Sequence, residues 1–190
     1  MNTNIKIFLS VIGLLIVGAI FAVVMNNHKS NVPGKYDGLA QALTDKGAHF
    51  YGAFWCPHCK AEKALFGSSV HLLPYVECST PAANDQTQIC KDKKIESYPT
   101  WEFPNPIVIT DSAKPLVCTK APGIPGEDPT CDRARSEYAT MYIFSKFEVS
   151  STSTPVQKDN TWTFDPSTTQ LRGEIPLIEL ANQIGYTLPQ

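Results

Sequence analysis

The most constraining feature of this chain is the stretch FYGAFWCPHCKAEKALF, residues 50–66. It sets Cys56 and Cys59 two residues apart, between an apolar aromatic run and a helix-like run. Pro57 suits the first position of a helix, where its missing N–H would have had no intrahelical partner. A helix starting there puts the Cys56 sulfur against unpaired backbone N–H groups and the positive end of the helix dipole, both of which favour thiolate over thiol. Free cysteine titrates at about 8.5, and helix amino termini and C-x-x-C settings bring this down to roughly 3.5–7.5. Cys59, one turn on, lies within reach but deeper, so it can resolve a mixed disulfide from inside. His58, between them, can add positive charge or a hydrogen-bond donor.

Two other readings of the pair are weaker. A structural zinc site commonly uses paired motifs, and there is no second C-x-x-C; His28, His49 and His71 show no ligand spacing. An inert staple would constrain the unfolded chain little, because the loop between the cysteines is so short. Redox chemistry is the favoured reading, and it requires no metal and no cofactor.

The remaining cysteines and the amino terminus suggest a compartment. The chain has six cysteines, and Cys78, Cys90, Cys118 and Cys131 follow the first two in an order that suggests sequential pairs. An even set behind an export-like segment fits an oxidising environment. That segment is residues 7–25, IFLSVIGLLIVGAIFAVVM, which carries no charge. About 20 apolar residues in a helix match a hydrocarbon core of about 30 Å, and a cleaved signal would be shorter and end at a small-x-small site. We therefore expect a cytoplasmic amino terminus (1–6), a single transmembrane anchor (7–25), a polar tether (26–35) and a domain (36–190) facing the periplasm or cell exterior. The net charge of −2 gives no reason to expect a nucleic-acid partner.

Along the domain, Asp37 to Lys46 reads as a helix capped by Asp37 and ended at Gly47, with Leu39, Ala42 and Leu43 as its apolar stripe. Residues 48–54 read as a buried strand, 57–66 as a helix, 73–79 as a strand, 85–94 as a helix and 98–103 as a strand. This order predicts an α/β sheet with helices on its faces. Residues 104–130, rich in proline, read as an irregular loop. Residues 138–149 and 161–164 read as strands separated by a turn, and 176–184 as a closing helix.

SYPTW, residues 97–101, places Pro99 just before a strand, about forty residues after the cysteine pair. An ordinary trans proline opening an edge strand is the plainer reading of these residues alone. FWCPHC followed by YPTW, however, resembles a thioredoxin-fold oxidoreductase. That resemblance implies a cis Pro99 packed beside the active-site cysteines, with the Tyr98 backbone available to a substrate strand and Trp55 at the substrate-facing surface. HFYGAFWCPHCKAEKALFG, LPYVECS, ICKDKKIESYPTWEF and ELANQIGY are together similar to the thioredoxin-like domain fused to, or working beside, bacterial vitamin K epoxide reductase homologues. They cover roughly residues 36–103 and 172–186. The resemblance implies an extracytoplasmic domain that passes oxidising equivalents from a quinone-linked membrane enzyme to thiol-containing exported proteins. In it Cys56 is the exposed nucleophile, Cys59 its resolving partner, and Cys78 with Cys90 a second pair. The C-P-H-C sequence is shared with DsbA-type oxidases.

Three departures stand out. Phe50 occupies the position, six before Cys56, where thioredoxins and DsbA-type proteins carry a buried acid, although the narrower family is also apolar there. No reductase-like transmembrane bundle is present, so the partner would be a separate chain. Residues 104–171 form an insertion where relatives have a short hairpin. A bridge is favoured for Cys78–Cys90, which would close about a dozen residues, with a relaying dithiol as the alternative; a bridge is also favoured for Cys118–Cys131. Tyr138, Tyr142, Phe144 and Phe147 read as a satellite core or a substrate groove. The same Cys56–Cys59 centre could instead run as a reductase or isomerase. A rival of another class is a thiol-based copper chaperone using Cys56, Cys59 and a histidine. A third possibility is an assembly factor whose insertion binds one client.

Overall fold

In a computed structural model the described residues are 12–18, 33–110, 115–118, 140–144 and 147–190. The chain divides into two units, Met1–Pro33 and Gly34–Gln190. Of the first unit, residues 12–18 are helical; the rest of the expected anchor and most of the tether lie outside the described residues. Among the described residues no helix is long and apolar enough to cross a membrane.

The second unit opens with helix α1, Asp37–Asp45, which buries Leu39, Ala40 and Leu43. Its N-cap is Tyr36 rather than Asp37. Asp37 already sits inside the helix, and its Oδ2 accepts the Gly34 N–H at 2.9 Å, closing the preceding turn instead. Gly47, at φ +74°, turns the chain out of α1 in the left-handed region that glycine enters at little cost. Strand β1, His49–Gly52, follows, then helix α2, Pro57–Leu65, and a 3₁₀ segment, Gly67–Leu72. Next come β2 (Tyr75–Glu77), the short helix α3 (Gln88–Asp92) and β3 (Thr100–Glu102).

Between residues 104 and 172 the described residues form strands as well as loops. They supply β4 (Ile107–Thr110), β5 (Leu116–Cys118), β6 (Thr140–Ile143), β7 (Glu148–Ser151), β8 (Val156–Lys158), β9 (Thr161–Phe164) and β10 (Thr169–Arg172). Helix α4, Leu177–Gln183, closes the fold. The proline-rich composition pointed to irregular structure. It was overridden by pairing with partners far along the chain: β4 lies against β9 and β5 against β6, both antiparallel.

A seven-stranded mixed sheet runs β2-β1-β3-β10-β7-β6-β5, in which β1 and β2 are parallel and the other neighbours antiparallel. This α/β architecture, a central mixed sheet with helices, is compatible with a thioredoxin-like fold. The region expected to be an insertion does not stand apart from it, because β10, β7, β6 and β5 continue the sheet beyond β3. A second, three-stranded sheet runs β4-β9-β8. Period-2 alternation sets its register: Ile107 and Ile109 face inward opposite Phe164 and Trp162, while Val108 faces outward. The open edge of β4 is met by Gln183 of α4, whose side-chain oxygen accepts the Val108 N–H (3.0 Å) and whose amide donates to the Val108 carbonyl (2.9 Å). A side chain thus supplies the pairing that an adjacent strand would give.

One core joins the two sheets. Phe50 stacks on Trp101 at 4.7 Å and Trp101 on Phe103 at 6.1 Å. Tyr142, Phe144, Phe147, Trp162 and Phe164 belong to the same buried cluster. The aromatics of the insertion are therefore neither a satellite core nor an exposed groove; Tyr138 lies outside the described residues. Trp101 is fully buried and its ring sits between those of Phe50 and Phe103. Replacing it with alanine leaves a large void, so Trp101→Ala should lower unfolding free energy by about 3–5 kcal/mol in denaturant titrations.

Candidate functional site

Cys56 is the N-cap of α2, and Pro57 is the first helical residue. The Cys59 backbone N–H donates to the Cys56 sulfur at 3.4 Å, so the thiol sulfur occupies the place that a serine or aspartate oxygen fills in other helix caps. Both cysteines are free thiols. Cys59 is the deeper, at 1% exposure against 4% for Cys56. Cys56 is thus less open than an exposed nucleophile would be, because the Tyr98 carbonyl lies 3.7 Å from its sulfur and accepts its S–H. The Tyr98–Pro99 peptide is cis, and Pro99 is buried next to the cysteines' helix start.

The surround is aromatic and polar. Phe54 and Trp55 are about half exposed beside the cysteines. Trp55 Nε1 donates to Ser79 Oγ at 2.8 Å, and its ring meets that of Tyr98 edge-on at 6.0 Å. Trp55, Ser79, Asn84, Asp85, Gln86 and Tyr98 line an open cavity of about 220 Å³. The neighbouring loop is fastened by the Cys78–Cys90 disulfide, both of whose cysteines are fully buried. A bond with no solvent exposure is poorly placed to exchange with an outside thiol, which favours a structural over a relaying role. Cys118 is disulfide-bonded; Cys131, its expected partner, lies outside the described residues.

Glu62 and Glu174, near the cysteines, belong to no sequence motif. His58 Nδ1 lies 2.7 Å from Glu174 Oε1, both side chains being largely exposed. This pairing brings together residues on distant parts of the chain, so no local spacing announces it. Glu174 is followed by Ile175, whose backbone N–H donates to Glu62 Oε2 at 2.9 Å; Trp101 Nε1 donates to Glu62 Oε1 at 3.2 Å. Glu62 is fully buried in α2. Burial pushes its carboxyl up to about 8; the Ile175 and Trp101 donors pull it down, and Glu174 raises it. Burial likewise raises the Cys59 thiol, the Ala53 backbone lowers it, and Cys56 raises it further. Lys63, whose ammonium lies over the Tyr75 ring, pulls the Cys59 thiol down. Among the described residues no group of three or more His, Cys, Asp or Glu is placed to hold a metal ion.

No family model matches the chain. The chain is similar to "Thiol-disulfide oxidoreductase LTO1" of Arabidopsis thaliana, at 45% identity over 67 residues. That match covers 33% of this chain and 18% of the plant protein, so the chain corresponds to a minor part of that relative's length.

Glu62 makes a pH-dependent contribution. Its folded value of about 8 lies above the roughly 4.3 of an unfolded glutamate, so between these values the folded chain holds a proton that the unfolded chain releases. Stability from this group is therefore lost as pH rises. Comparing denaturation midpoints at pH 5 and pH 8, wild type should lose stability relative to Glu62→Gln; a difference that stays constant or moves the other way would contradict this.

Proposed function

We propose that this protein is a thiol–disulfide oxidoreductase of thioredoxin fold, anchored in the cytoplasmic membrane by residues 7–25 with its domain outside. It introduces disulfides into exported proteins. The observation that carries the reading is the capping geometry: a free Cys56 sulfur receiving the Cys59 N–H at the start of α2, with a second free thiol one turn deeper. The likeness to a plant thiol–disulfide oxidoreductase supports the same class of redox enzyme.

In the oxidising direction a substrate thiolate attacks the Cys56 sulfur of the Cys56–Cys59 disulfide, and the S–S electron pair stays on Cys59. A second substrate thiolate then bonds to the first substrate sulfur and expels Cys56 as thiolate. The substrate has lost two electrons and the enzyme carries a dithiol. Reoxidation falls to a separate quinone-linked membrane partner of the vitamin K epoxide reductase type. Trp55, Tyr98 and the open cavity beside them form the surface that meets substrate, and the Tyr98 backbone lies next to the reacting sulfur. His58 lies two residues after Cys56 and pairs with Glu174. The domain itself uses no cofactor.

Trapping tests the reading. A Cys59→Ala variant cannot resolve mixed disulfides, so clients and redox partner should accumulate covalently on Cys56 and be released by reductant. Absence of any Cys56 adduct, with the fold intact, would overturn the reading. The direction is read from the potential. Since 30 mV corresponds to about 1.4 kcal/mol, an oxidase should lie well above the roughly −270 mV of thioredoxin. A value near thioredoxin's would reverse the direction to reductase.

A further inference from the structure

The buried acid that thioredoxins place six residues before the first cysteine is replaced here by Phe50, which leaves open what helps Cys59 to reach its thiolate form. The space around the Cys59 sulfur supplies a candidate. Gly52 of β1 is pressed between two groups: a Cβ there would stand 2.9 Å from Cys59 Sγ and 2.9 Å from Tyr75 Cε2. The Cys59 sulfur and the Tyr75 ring therefore converge on one point, which only a glycine leaves open. Over that ring sits the Lys63 ammonium, 3.1 Å from the centroid and 6.0 Å from the centroid of Phe50. Lys63 is four residues after Cys59 in α2, so the two side chains share one helix face. Burial lowers the lysine's proton affinity, while Glu77 and Cys59 both raise it; Lys63 in turn favours the Cys59 thiolate. The other titratable groups around this point are Cys56, Tyr75 and Glu77, with Tyr98 from the cis-proline loop.

We propose that Lys63 is the charge partner of Cys59, taking by electrostatics the role that a buried carboxylate fills elsewhere by proton transfer, with Glu77 keeping the lysine cationic. This rests on the dithiol chemistry proposed above. When an incoming thiolate bonds to Cys56 Sγ, the Cys56–Cys59 bond breaks and its electron pair remains on Cys59. No proton moves in that step, and the new negative charge appears beside the ammonium. When Cys59 resolves a mixed disulfide, its S–H proton passes to water, the thiolate bonds to Cys56 Sγ, and the partner sulfur departs with the pair. The ammonium lowers the cost of the same anion in both directions. Glu77 also anchors the cysteine loop: its Oε1 accepts the Phe54 N–H at 3.2 Å and the Ser79 N–H at 2.9 Å, and its Oε2 accepts from Tyr75 Oη at 2.9 Å. The carboxylate whose charge acts on Lys63 therefore also fixes the loop carrying Cys56.

The resolving step can be isolated without a biological partner. One equivalent of the disulfide reagent DTNB places a thionitrobenzoate on Cys56, and the coloured thiolate released afterwards reports attack by Cys59. Lys63→Met, which keeps length and packing but removes charge, should slow that release about tenfold, the equivalent of one pK unit, and move its pH profile upward. Lys63→Arg should restore most of the rate. Thermal unfolding of each variant accompanies the kinetics, and Lys63→Gln replaces the methionine variant if that one does not fold. Release at the wild-type rate in folded Lys63→Met, or equal slowing by arginine and methionine, would overturn the assignment. The measurement needs no protein client, so failure of the oxidoreductase reading would appear in the trapping experiment and leave this result unaffected.

Discussion

The site depends on one contact: the backbone N–H of Cys59 directed at the sulfur of Cys56. Pro57 lets the chain enter α2 abruptly, and a helix has N–H groups at its start with no partner of their own. A sulfur placed there caps the helix, and in the proposed chemistry it is the atom that reacts. The strand before it, β1, lies between parallel β2 and antiparallel β3, which fixes where α2 begins. The stack of Phe50 on Trp101 ties that strand to the middle of the sheet. The cis Tyr98–Pro99 segment reaches the same sulfur from β3, so two neighbouring strands deliver both sides of the site.

Charge is distributed around the pair in an ordered way. Lys63 and Glu77 lie on the β2 side, Glu62 is buried beneath α2, and Glu174 meets His58 at the surface. None of these stands at the Phe50 position. A long apolar sheet surface there suits the aromatic stack, and the ionisable groups are displaced from it, with backbone donors reaching the Glu62 and Glu77 carboxylates. Glu62 links the two regions, since it accepts from Trp101 in the core and from Ile175, next to the residue that holds His58.

What could be read from the sequence was what is locally encoded. The helix from Pro57, the closing helix ending near Gly185 and the TWTF strand follow from residue type and period over a few positions, and the structure has them at Pro57–Leu65, Leu177–Gln183 and Thr161–Phe164. The cap on α1 was misplaced by one residue because Asp37 had a competing local partner in the Gly34 N–H. Within the proline-rich stretch 104–130, Ile107–Thr110 and Leu116–Cys118 are strands, because proline count says nothing about distant partners: Ile107–Thr110 pairs with Thr161–Phe164. Glu174 was missed for the same reason. Lys63 was within reach of sequence reasoning, since it falls one helical turn after Cys59, but its significance appears only when Tyr75 and Gly52 close the space around that sulfur.

The central claim is that the two thiols are unequal, with Cys56 the sulfur that meets other molecules and Cys59 held behind it. The most direct measurement is a time course of iodoacetamide labelling on the reduced native protein, with each cysteine followed by peptide mass spectrometry. The geometry requires Cys56 to be modified first and Cys59 to stay protected until the chain unfolds. Labelling of Cys59 as fast as Cys56, or protection of both until unfolding, would contradict the account.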